Sequence, residues 1–317
     1  MHDRRSFGRL FELLLFPVSV FSQENGQTTF QFRSGFWTNL HHFLIWQAAT
    51  AAPNESTGSI GLSAPQALAW RQALEFYRDR FDGDDLLQPA MVEIKNVLGD
   101  AGNSQSIVDS GLEAGLVQAL EEAAPVYRAL WWDEHDRSNR SRIGQLDSVV
   151  PQHERPLKAR LSDTYKTKWP ETRIPTDVVF HANWAGAYTT LYPMRITISS
   201  EDSDQSSPEG LELLFHEASH GLIERVRTAI SRRARSLGML LPRKSLWHAV
   251  LFYSTGEIVR QRFPGYTPYA MRHSLWERVW PDHLGALERE WKPYLDGHKD
   301  FESAINALVD DLVRGER

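Results

Sequence analysis

The residues of this chain best suited to chemistry are two histidines four positions apart, with a glutamate directly after the first: His216-Glu217-Ala218-Ser219-His220. On an α-helix, side chains at i and i+4 lie one above the other, so both imidazoles can reach a single ion. Glu217 is turned about 100° from His216 and projects beside that ion rather than onto it. A carboxylate so placed can hold a water and take its proton, once a metal such as Zn²⁺ has lowered the water's pKa. This division of labour is why the pattern needs a glutamate as well as two histidines. Chance alone yields the pattern about 0.03 times in a chain with twelve histidines.

Cysteine is absent, which excludes disulfides, thiolate metal sites and thiol catalysis. Any metal is left to histidines and carboxylates, the ligand set of catalytic rather than structural zinc. The net charge of −6 carries none of the basic footprint of a nucleic-acid binder. The 317 residues suffice for a full core, and 41% of them are hydrophobic, an ordinary globular composition.

The elements that must position the motif can be read from periodicity. Apolar residues at three- and four-residue spacing predict helices over 36–48, 64–81, 85–98, 105–120 and 122–143. Near residue 173 the pattern changes to β-rich runs at 177–184, 188–192 and 195–199, predicted to form a small antiparallel meander. Ser207 as N-cap with Pro208 behind it then opens a helix predicted over 207–235, which carries the motif. Further helices are predicted over 244–262, 281–294 and 299–314. The expected class is α+β, mostly helical, with one small antiparallel β-sheet preceding the motif helix. The expected division is a leader over 1–22, a helical lobe over 23–172 and a catalytic lobe over 173–317. The leader rests on Arg4, Arg5 and Arg9 ahead of the apolar run Leu10–Phe21, with Val20 and Ser22 before a cut at Gln23. It predicts export. No stretch reaches the length of a membrane span.

Over about eighty residues, from 177 to 262, the chain resembles the zincin metallopeptidases. The resemblance implies that His216 and His220 bind Zn²⁺ and that Glu217 is the general base. The metzincin continuation HExxHxxGxxH is missing, because Gly-Leu-Ile-Glu-Arg-Val follows His220. The gluzincin-like alternative takes its third ligand from a glutamate on a downstream helix, which points to Glu257. Two departures weigh on it: the spacing from His220 is long, and the frequent ExxxD pattern reads Glu257-x-x-x-Gln261. In favour of Glu257, an unpaired carboxylate in the largely apolar WHAVLFYSTGEIVRQRF is costly. Tyr253 shares its face and would donate to a tetrahedral oxyanion. His248 is the rival ligand. It lies nine residues before Glu257, about 180° round a regular helix, so only one of them can face the ion.

The resemblance also implies that residues 178–184 receive the substrate as an added strand, with Asn183 and Trp184 near the scissile bond. The expected activity is zinc-dependent hydrolysis of a peptide or protein substrate. A zinc-stabilised protein without turnover, and an amidase or esterase acting on other substrates, are the alternatives. Elsewhere, His41 and His42 read as buried, hydrogen-bonded histidines. His135, Asn139 and Arg142 share a helix face and read as a polar network or a second wall of the cleft.

Overall fold

The computed structural model describes residues 28–50, 61–81, 86–183, 186–201, 207–239 and 245–314. The predicted leader lies outside them. The chain enters through β1 (Phe30–Arg33) and turns into α1 (Phe36–Thr50). Every residue from Phe36 to Leu44 is buried, so α1 is enclosed on all sides rather than amphipathic. Around it pack α2 (Ala64–Phe81), α3 (Pro89–Ala101) and α4 (Ala114–Tyr127). Their apolar faces make an aromatic-rich core with Trp37, Trp70, Tyr77 and Tyr127 fully buried.

A π-helical turn, Arg128–Trp132, leads without interruption into α5 (Asp133–Tyr165). The helix predicted over 105–120 begins only at Ala114, residues 105–113 being non-helical, and the predicted break near residue 121 is absent, so that α4 runs on into α5 as one rod. The second half of α5, from Leu146 to Tyr165, packs into a second core that includes the sheet and all later helices.

The sheet holds β2 (Ile174–Val179), β3 (Ala187–Leu191) and β4 (Met194–Ser199) in the order β1-β2-β4-β3. The fold is therefore α+β and mostly helical, but the sheet is mixed. Only the β3–β4 hairpin is antiparallel; β1 and β4 both run parallel to β2. Alternation along a strand reports which face is buried, not which neighbour it takes. Here β1 arrives from 140 residues away, pairing Phe30 with Ile174, and the returning β4 inserts beside β2.

The motif lies on α6 (Ser207–Ser219). The expected single helix over 207–235 is two helices. After Ser219 the bonding tightens to three-residue steps, with the amides of His220, Gly221 and Leu222 donating to Glu217, Ala218 and Ser219. Met194 of β4 presses on this turn, and a Cβ at Gly221 would stand 3.3 Å from its sulfur. The chain restarts as α7 (Glu224–Ser236), then α8 (Leu246–Arg262), which crosses α6 and packs against it. Short helices α9 (Tyr269–Arg272), α10 (Leu275–Arg278), α11 (His283–Ala286) and α12 (Lys292–Leu295) lead to α13 (Phe301–Arg314). Phe301, Ala304, Ile305, Leu308 and Val309 make a regular apolar stripe on α13, which covers α7. Among the described residues no helix is long and apolar enough to cross a membrane.

Candidate metal centre

His216 and Glu217 stand in the last turns of α6, His220 in the tightened turn that follows, and His248 near the start of α8. The crossing of α8 over α6 brings one nitrogen from each of His216, His220 and His248 within 4.8 Å of the others. The Nε2 atoms of His216 and His248 face each other across 3.2 Å. The three ring centres form a triangle with every side 5.2 Å.

Those lengths can be compared with what a metal demands. With metal–nitrogen bonds of about 2.0–2.1 Å and tetrahedral angles, ligand nitrogens lie about 3.3 Å apart and imidazole centres about 5.2 Å apart. The group could hold a metal ion through three histidines. Ionisation agrees. Burial, reinforced by the neighbouring imidazoles, holds His216 well below its ordinary pKa. Burial also takes His220 down to about 3 and His248 to about 4. All three are neutral at pH 7, the form that binds metal. The two Nε2 atoms are close enough for one imidazole N–H to donate to the other, and a metal ion between them would take the place of that bond; His216 Nδ1 has no partner.

Glu217 lies beside the group. Its Oε2 is 3.8 Å from His220 Nε2 and accepts a hydrogen bond of 2.7 Å from the Thr189 hydroxyl on β3. Burial pushes its carboxyl up to about 7, while the Thr189 hydroxyl and the Lys95 ammonium pull the other way. Lys95 is itself fully buried. It donates to the Arg195 carbonyl at 3.0 Å and lies over the Tyr188 ring, and burial lowers its pKa to about 7. Aromatic rings fix the imidazoles: Phe252 lies on His216 with centres 3.8 Å apart, and Trp247 stacks on His248.

Glu257, expected as third ligand, does not join this group. Its carboxylate is held at 2.9 and 2.6 Å by the guanidinium of Arg260, one turn on. The nine-residue offset from His248 places it on the far side of α8. Tyr253 goes with it: it is buried against Trp276, away from the imidazoles, and Phe252 occupies the position over the cluster. The strand expected to receive substrate is also different. Residues 178–179 end β2, which is enclosed between β1 and β4, whereas β3 forms the sheet's edge. Asn183 Nδ2 donates to the Ala187 carbonyl at 3.3 Å, and Trp184 lies outside the described residues.

Thr189, Phe252 and Trp247 were not expected at the site. A Trp beside His248 was a visible signal, but nothing local marks Thr189, which meets Glu217 only through the tertiary fold. His135, Asn139 and the two early histidines resolve into structure. His135 stacks on Phe180 at 3.9 Å and bonds Tyr127. His41 bonds Tyr77, and His42 bonds the Thr38 carbonyl and Tyr188. Compared with protein-family models, curated proteins and solved structures, the chain matches none.

Proposed function

We propose that this protein is a zinc-dependent hydrolase acting on peptide bonds, with Glu217 as its general base. The observation that carries the reading is the equilateral triangle of imidazoles with the Glu217 carboxylate at its side. Three neutral imidazoles suit zinc, copper, iron or nickel. Zinc is favoured because three protein ligands and one open position form its hydrolytic arrangement. When bound, zinc supplies Lewis acidity to a water and to a substrate carbonyl.

The remaining work belongs to the chain's own residues. Glu217 accepts the proton of the attacking water and then offers it to the leaving amine. Thr189 holds Glu217 Oε2 in place beside His220, which fixes the carboxylate that moves the proton. Phe252 and Trp247 restrict water around the imidazoles and hold the rings in one orientation. Among the described residues β3 has a strand neighbour on one side only, and its other edge, beside Glu217, would offer an extended peptide its backbone groups.

The test is metal analysis of the reconstituted protein together with digestion of a mixed peptide library. One zinc per chain and new peptide termini are expected. His248→Ala should lower zinc affinity at least about a hundredfold, whereas Glu257→Ala should keep it. The reverse result would reinstate Glu257 as the ligand. Zinc far below one per chain would end the reading.

A further inference from the structure

Four of the arginines of α7 divide into two sets. Arg225 lies over Phe301, Arg232 pairs with Glu302, and Arg233 holds Asp310 with two bonds of 2.7 and 2.6 Å. These three fasten α7 to α13. Arg227 points the other way, with its guanidinium carbon 5.2 Å from the centre of the Trp247 ring. Trp247 in turn stacks on His248 at 4.9 Å and meets His220 edge-on at 5.7 Å. One indole therefore separates this cation from two of the three imidazoles. Its ion pair with Glu224 is long, 3.7 Å, and both side chains are well exposed, 48% and 78%, so solvent screens it.

We propose that Arg227, laid on Trp247, receives a carboxylate of the substrate within two residues of the bond being cut. This rests on the hydrolase reading of the imidazole cluster. A guanidinium presents its N–H groups as a planar fork that matches a carboxylate with two parallel bonds. Stacking on an indole fixes that plane and leaves the N–H edge outward. The steps across the indole put the guanidinium carbon no more than about 10 Å from the His248 ring centre; two extended residues span about 7 Å, and the length of the carboxylate-bearing group covers the rest. The carboxylate is either the peptide's own C-terminus, which would make the enzyme trim chain ends, or an acidic side chain beside the cleaved bond.

The Glu217→Gln protein loaded with zinc binds substrate without consuming it, so affinity can be read apart from turnover. Four N-acetylated hexapeptides of alanine and leucine serve as probes in calorimetry: a free C-terminal acid, its amide, and the amide with one internal Glu or with Gln in its place. At least about tenfold tighter binding is expected for a carboxylate form over its neutral partner. The acid–amide pair and the Glu–Gln pair identify the source. Adding Arg227→Gln should reduce that ratio to near one, and Arg227→Lys should retain part of it. Equal or absent binding of all four, or a preference that survives Arg227→Gln, overturns the inference. Digestion of the same peptides by the wild-type chain reports separately on the hydrolase. Cleavage without carboxylate preference removes Arg227's role and leaves the hydrolase. Carboxylate-dependent binding without any cleavage does the opposite.

Discussion

Two of the buried polar clusters in this molecule differ in whether their bonds are complete. Around Asn39 and Asn139, every side-chain group has a partner. Asn39 Oδ1 accepts from Asn139 and from the Phe180 amide, and Asn139 Oδ1 accepts from Ser200. Asn139 also donates to Ser34, which donates to Asp136. This cluster ties α1 and α5 to the sheet and leaves nothing for a ligand. Around His216, by contrast, Nε2 meets only another imidazole nitrogen and Nδ1 has no partner. A completed network fixes structure, and an incomplete one in a folded core calls for a partner from outside.

The strongest way to break this contrast is Glu217→Gln. The amide keeps the shape but cannot accept a proton, so hydrolysis should fall on the order of 10²–10⁴-fold with zinc content unchanged. Near wild-type turnover would remove Glu217 from the reaction.

Acid should expose the completed regions next. Burial keeps His42 neutral down to about pH 4, and His135 likewise. An unfolded histidine protonates near pH 6.5, so between pH 6.5 and 4 the unfolded state binds more protons and stability falls with pH. Each should remove about 3 kcal/mol by pH 4. Thermal melts across that range read the loss, and a midpoint flat from pH 7 to 4 would contradict the assignment.

The mildest change is Asn139→Ala. It leaves the Ser200 hydroxyl without its acceptor and removes one bond each from Asn39 and Ser34, and should cost about 2 kcal/mol of stability, leaving zinc affinity alone. A loss of zinc binding in an otherwise folded variant would mean that the two clusters are coupled after all.

The motif was legible in the sequence because everything it needs lies within one turn of helix. The choice between His248 and Glu257 was not, although helix geometry already made the two exclusive. What decides it is which face of α8 packs on α6, a tertiary fact. A lone buried carboxylate is costly, but Glu257 is not alone, because Arg260 three residues on pairs with it. Most helices lie near their predicted spans because 3.6-residue periodicity is local, but residues 105–113 are not helical and the helix over 207–235 breaks after Ser219. The parallel pairing of β1 with β2 did not, since Phe30 and Ile174 are partners across almost half the chain.

One consequence remains in the rod formed by α4, the π-helical turn and α5. It stays helical from Ala114 to Tyr165 and passes from one core into the other. At about 1.5 Å per residue it extends on the order of 75 Å, and neither core can come apart without loosening a stretch of it. The two cores are thus mechanically joined by a shared beam rather than a hinge. Gly99 adds a clamp at the side: a Cβ there would collide with the Arg195 guanidinium, which bridges Asp177 of the sheet and Asp100 of α3. Denaturation should accordingly run as a single cooperative event. The backbone amides of α4 and of the far half of α5 should then exchange with solvent at a common, global pace.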